Sequence, residues 1–111
     1  MDNYLDVRFA YSRVAAVEDL TEGERIFLEI ENHPIVIFSI NGEFFATGDI
    51  CSHDGGEIGN GELDGEEIIC PRHGARFNIR NGKALTLPAV TNIPIYPVRV
   101  VDGYLEIGIP E

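Results

Sequence analysis

Four residues of this 111-residue chain are suited to binding a metal: Cys51, His53, Cys70 and His73. They fall into two short boxes, Cys51-x-His53 and Cys70-x-x-His73, with sixteen residues between them. Both cysteines of the chain and two of its three histidines are used. Thiolate sulfur and imidazole nitrogen ligate zinc and iron–sulfur clusters alike, and each box offers one of each. Zinc sites usually pair Cys with Cys and His with His, at C-x2–4-C and H-x3–5-H spacings. One of each per box suits a two-iron, two-sulfur (2Fe-2S) cluster, in which one iron takes two thiolates and the other two imidazoles. Cys51 and Cys70 then bind one iron, and His53 and His73 the other. A Cys70–His73 nucleophile and base is a third option, but it leaves the Cys51 box without a task.

Two boxes can act together only if the chain folds their loops side by side, and the flanking sequence supplies short strands for that. Asp6 to Val17 has the mixed character of one or two strands, and Glu18 to Gly23 reads as a polar turn with a single helical turn. Arg25 to Glu31 sets Ile26, Leu28 and Ile30 against polar neighbours, with Phe27 out of pattern. That alternation is a strand with one wet face. Asn32-His33-Pro34 is expected to break it, and His33 is read as a turn residue. Ile35 to Ile40 is the most strand-like run, followed by Asn41-Gly42, a type I′ hairpin signal, and a return strand from Glu43 to Thr47. Between the boxes, Asp64-Gly65 reads as the tip of a hairpin whose return strand, Glu67-Ile68-Ile69, leads into Cys70. A short strand from Arg76 to Ile79 precedes an Asn81-Gly82 hairpin turn. Pro88, Pro94 and Pro97 disfavour helix over residues 84–97. Tyr96 to Val101 and Tyr104 to Ile109 form a last hairpin around Asp102-Gly103. The expectation is one all-β domain over residues 1–111, a sandwich or barrel. Its β body is residues 1–49 and 79–111, and residues 50–78 are a small cluster-binding insert.

Composition narrows the partners. Nineteen acids against eight bases give a formal net charge of −11, which argues against nucleic acid or an anionic membrane. Two readings of that charge stand side by side: a solvated surface, and a field that steers the protein toward a basic docking patch. No apolar run approaches the roughly 18–20 residues of a membrane helix, and MDNYLDVRFAYSRV lacks the pattern of a signal peptide. The cytoplasm is the expected compartment.

CSHDGG at residues 51–56 and CPRHGARF at residues 70–77 resemble the two ligand boxes of the Rieske family. The resemblance extends over residues 5–110, through the hairpin before Cys51, Leu87-Pro88-Ala89 and the final YPVRVVDGYLEI. It implies a Rieske-like β sandwich with an inserted cluster-binding subdomain, one 2Fe-2S cluster, and Cys51, His53, Cys70 and His73 as its ligands. Gly55, Gly56, Arg72, Gly74, Ala75, Phe77 and Pro88 are then the residues around it. Glycines there let backbone N–H groups approach the cluster sulfurs.

Departures from the family pattern point to a subfamily. The quinol-oxidising members carry an extra cysteine in each box, joined as a disulfide; Gly56 and Arg72 stand at those positions here. Those members also place serine and tyrosine hydroxyls near sulfur where this chain has Ala75 and Phe77. If each such hydrogen bond strengthens by about 1 kcal/mol on reduction, each missing donor lowers the potential by roughly 45 mV. The expected midpoint is the low end of the Rieske range, near about −150 mV. Negative charge on Asp54 and Glu57, close to His53, should lower it further. The resemblance is then to the Rieske ferredoxins of bacterial oxygenase systems: monomeric carriers, not enzymes, that take single electrons from an NAD(P)H-dependent flavoprotein reductase to a terminal oxygenase. Alternatives are a Rieske-like small subunit of nitrite reductase, a carrier for another pathway such as iron–sulfur assembly, and a zinc-stabilised interaction module without redox function.

Overall fold

Of the six residues in Ile35–Ile40 only Ser39 is polar, so a strand built from them must be covered on both faces. In the computed structural model, which describes residues 8–111, both faces are covered. This run forms most of β3 (His33–Ile40), the central wall of the molecule. Ile35 and Ile37 face one core with Leu20, Ala46, Leu105, Ile107 and Ile109. Val36, Phe38 and Ile40 face the other, which contains Cys51, Cys70, Ile58, Ile68 and Phe77.

Three antiparallel sheets surround that wall. β2 (Arg25–Ile30), β3, β4 (Glu43–Gly48) and β8 (Ile95–Tyr96) form one sheet in the order β2-β3-β4-β8. β1 (Phe9–Ala16), β10 (Tyr104–Pro110) and β9 (Val98–Val101) form a second, in the order β1-β10-β9. The third, between and after the boxes, is β5 (Glu62–Asp64), β6 (Glu67–Ile69) and β7 (Arg76–Asn78). The helical content is one 3-10 turn at Val17–Asp19. Among the described residues, no helix is long and apolar enough to cross a membrane. The fold is all-β. Asp6 and Val7, where the first strand was expected to begin, lie outside the described residues.

Five details differ from the reading of the sequence. Asn32-His33-Pro34 does not break the sheet: the turn is Glu31–Asn32, both left-handed (φ 50° and 68°), and His33 already pairs with Ile30. Pro34 is tolerated because its missing N–H points toward β4, whose last partner is Gly48 opposite Ile35. The strand expected from Tyr96 to Val101 is two strands in two sheets, and Pro97 sits at the switch between them. The tip between β5 and β6 is Gly65–Glu66, with Asp64 already paired to Glu67. After β7 there is no return strand, only a bridge from Phe77 to Ala84. Ile79, Ala89 and Ile93 pack into the core beneath the cysteines, so part of the chain after residue 78 lies on the cluster side.

Candidate metal centre

The two boxes fold into the same loop despite their different spacings. In the first, Cys51 N–H donates to the Gly56 carbonyl (2.7 Å) and Gly55 N–H to the Cys51 carbonyl (2.8 Å). In the second, Cys70 N–H donates to the Ala75 carbonyl (2.8 Å) and Gly74 N–H to the Cys70 carbonyl (3.0 Å). Both closures require a left-handed residue four positions after the cysteine, and Gly55 (φ 76°) and Gly74 (φ 78°) supply it. The histidine sits second after Cys51 and third after Cys70, so the loops match in backbone and differ in where the ring leaves.

Cysteines and histidines separate by depth. Cys51 and Cys70 are 0% and 1% exposed and not joined to each other, whereas His53 is exposed and His73 half-buried. His73 Nε2 lies 3.4 Å from both sulfurs. The His53 and His73 rings meet edge to face, with centroids 4.5 Å apart. Cys51, Asp54, Cys70 and His73 bring their donor atoms within 4.8 Å of one another. Three of the four expected ligands are thus in one cluster with an aspartate, and His53 stands beside it against His73. Burial pushes the Cys51 thiol up, opposed by the N–H groups of Asp54 and His53 on its sulfur. Gly55 and Gly74 N–H bond the cysteine carbonyls, and Gly56 N–H bonds Asp54 Oδ1 (2.9 Å). The glycines act through conformation and space.

Arg72 and Asp54 are more closely engaged than expected. Arg72 grips both Asp54 oxygens, Nε to Oδ2 at 2.6 Å and Nη2 to Oδ1 at 2.8 Å, and also bonds the Glu57 carbonyl at 2.7 Å. That hydrogen-bonded guanidinium, with Gly56 N–H, holds the Asp54 carboxyl well below the usual carboxylate range. The charge of Asp54 was expected to act freely on His53; Arg72 offsets it. Ala75 and Phe77 are fully buried under the second loop, and Ala75 N–H lies 3.4 Å from His73 Nδ1. Pro88 is exposed and follows a cis peptide at Leu87. Its loop is tied to the first box by the Ser52 hydroxyl, which donates to the Thr91 carbonyl, and by Ala89 in the shared core.

The residues that fasten the first loop to the body were not among those expected from the sequence. Asp49 Oδ1 accepts the N–H groups of Ile58 (3.0 Å) and Gly59 (2.7 Å). From β2, Arg25 donates to the carbonyls of Gly59 and Gly61. Phe27, the residue out of pattern in β2, covers Gly59, where a Cβ would lie 2.7 Å from the ring. These contacts span 9 to 36 residues of sequence, and only Asp49, two positions before Cys51, had any local cue.

The donor set fits a 2Fe-2S cluster: two buried thiols without a disulfide, and two imidazoles closer to the surface than they are. A small all-β body carrying that set on two matched loops is an electron-transfer domain. The chain belongs to the Rieske [2Fe-2S] domain family, which residues 10–97 match, and its cofactor is one cluster of that type. It is 40% identical over 97 residues to the 3-phenylpropionate/cinnamic acid dioxygenase ferredoxin subunit of Escherichia coli strain K12, covering 86% of this chain and 90% of that one. The Sphingomonas yanoikuyae B1 ferredoxin superposes with a TM-score of 0.83 at 31% identity, covering 91% of this chain and all of that one. A chain in the complex of reduced oxygenase and oxidized ferredoxin of carbazole 1,9a-dioxygenase does so with a TM-score of 0.83 at 27% identity, covering 88% and 92%.

Proposed function

We propose that this chain is the ferredoxin of a multi-component oxygenase system. In this reading it works in the cytoplasm as a monomer, taking single electrons from an NAD(P)H-dependent flavoprotein reductase and passing them to a terminal oxygenase. The observation that carries it is the depth order of the ligands, thiols buried and imidazoles outward, on a chain whose relatives are ferredoxin components. Cys51 and Cys70 would hold one iron of the cluster, and His53 and His73 the other. When bound, the cluster supplies one reversible electron at its histidine side. The chain supplies the rest: a dry floor of Ile58, Ile68, Ala75 and Phe77 under the sulfurs, and an exposed His53 edge where a partner can approach. Without hydroxyls at positions 75 and 77 the midpoint lies at the low end of the Rieske range, near about −150 mV.

Anaerobic reconstitution with iron and sulfide tests this directly. A red-brown protein is expected, bleached by NADH and a flavoprotein reductase and reoxidised by a terminal oxygenase. Cys51→Ser, Cys70→Ser, His53→Ala and His73→Ala should each fail to load a normal cluster. A colourless chain holding one zinc ion would end the electron-carrier reading. A midpoint above about +100 mV, well inside the high Rieske range, would end the low-potential one.

A further inference from the structure

Apart from His73, whose Nε2 lies 3.4 Å from the Cys51 sulfur and 3.4 Å from Asp54 Oδ2, Arg72 makes the only side-chain polar contacts that join loop 51–57 to loop 70–75 among the described residues. It sits between Cys70 and His73 on one loop and holds Asp54, between His53 and Gly55, on the other. Its third bond, to the Glu57 carbonyl, fixes the far end of the first loop as well. A planar fork on both carboxylate oxygens sets orientation as well as distance. Gly56 makes room for it: a Cβ there would lie 2.7 Å from the guanidinium carbon. Gly56 has no positive φ, unlike Gly55 and Gly74, so space and not backbone conformation accounts for a glycine at this position.

We propose that Arg72 is the positioning residue that holds the two ligand loops closed over the cluster, with Asp54 as its anchor and Gly56 as its passage. The proposal rests on the ligand assignment above and goes beyond it in two ways. It gives the loops a non-covalent tie, formed regardless of redox compartment. It also makes the pair electrically neutral beside the cluster, so that neither charge acts alone on the potential. Removing Arg72 would open the loops and leave an unbalanced carboxylate, which disfavours the extra electron. Removing the Asp54 charge would open them and leave an unbalanced guanidinium, which favours it.

Two readouts on cluster-loaded protein separate this from a general structural effect. One is the rate of cluster loss to a chelator, followed by visible absorbance; the other is the midpoint by film voltammetry. Arg72→Gln and Asp54→Asn should each lose the cluster several-fold faster than the natural chain, and the double variant no faster than the worse single. Their midpoints should move in opposite directions, down for Arg72→Gln and up for Asp54→Asn, and return close to the starting value in the double variant. Arg72→Lys keeps the charge but not the fork, so its loss should quicken while its midpoint stays. Gly56→Ala should quicken loss by displacing the guanidinium. Natural loss rates in Arg72→Gln and Arg72→Lys would overturn the proposal, as would additive effects in the double variant or midpoints that shift the same way. Ligand variants fail at loading and these variants after it, so the two readings fail separately.

Discussion

Ala75 and Phe77 follow His73 closely, and each is fully buried in the core that contains both cysteines. Their lack of a hydroxyl therefore bears on the environment of the cluster and not on the surface. A tyrosine at 77 would place its O–H within the core that contains both cysteines, and a buried hydroxyl seeks a partner. We expect Phe77→Tyr and Ala75→Ser each to raise the midpoint by about 45 mV, if the new bond strengthens by about 1 kcal/mol on reduction. Film voltammetry on the two singles and the double reads this. Unchanged or lowered midpoints with intact visible spectra would remove the hydroxyls from the account of potential. The same scale shows what residue types conceal. Gly55 and Gly74 matter through φ, Gly56 through space, and the amides on the Cys51 sulfur belong to His53 and Asp54.

Turns and strands carry this placement, and Arg80 ties two of the sheets. It bonds Glu66 at the β5–β6 tip (2.6 Å) and Glu43 on β4 (3.0 Å), lying over the Phe45 ring. The Arg80 guanidinium holds the Glu66 carboxyl below its ordinary value. A carboxylate whose pKa is lower folded than unfolded stabilises the fold above its unfolded pKa of about 4.3, and that contribution is lost as pH falls through the folded value. Glu66→Gln should therefore lower the melting temperature by a constant amount above pH 5, and the gap should close in acid. Thermal melts of both proteins between pH 7 and pH 3 test this; a gap that widens on acidification contradicts it. Much at this scale was legible in the sequence. Asn41-Gly42 and Asp102-Gly103 are two-residue turns with both residues left-handed, and IVIFSI is buried on both faces. The two ligand boxes were plain from residue type and spacing. Long-range fastenings were not. The reach of Arg25 to Gly59 and Gly61 leaves no local pattern, and Glu31–Asn32 turns without a glycine because closure of β2 on β3 enforces it. From the sequence Pro97 reads as part of one strand, whereas a residue without an N–H serves to pass the chain between two sheets.

At the scale of the whole molecule the excess of acid decides how partners approach. Four of the eight basic residues, Arg72, Arg76, Arg80 and Arg99, are already held by carboxylates of the same chain. The net charge of −11 therefore projects outward as a field of one sign, while the Arg72–Asp54 pair adds no net charge to the loop surface near the cluster. Such a field speeds encounter with a basic docking patch and is screened by salt, with a Debye length of about 10 Å at 0.1 M and about 3 Å at 1 M. If the charge steers, the second-order rate of cluster reduction by the reductase should fall steeply as salt rises from about 20 mM to about 500 mM, a range over which screening shortens severalfold. The first-order electron transfer within the docked complex should hardly change, because that step needs no long-range attraction. Stopped-flow bleaching at several salt concentrations, with the reductase in varied excess, separates the two rates. A second-order rate indifferent to salt would leave the acidic surface as solvation alone. A rate that rises with salt would mean that the partner's docking face is itself acidic, and that short-range contacts around His53 drive recognition against the field.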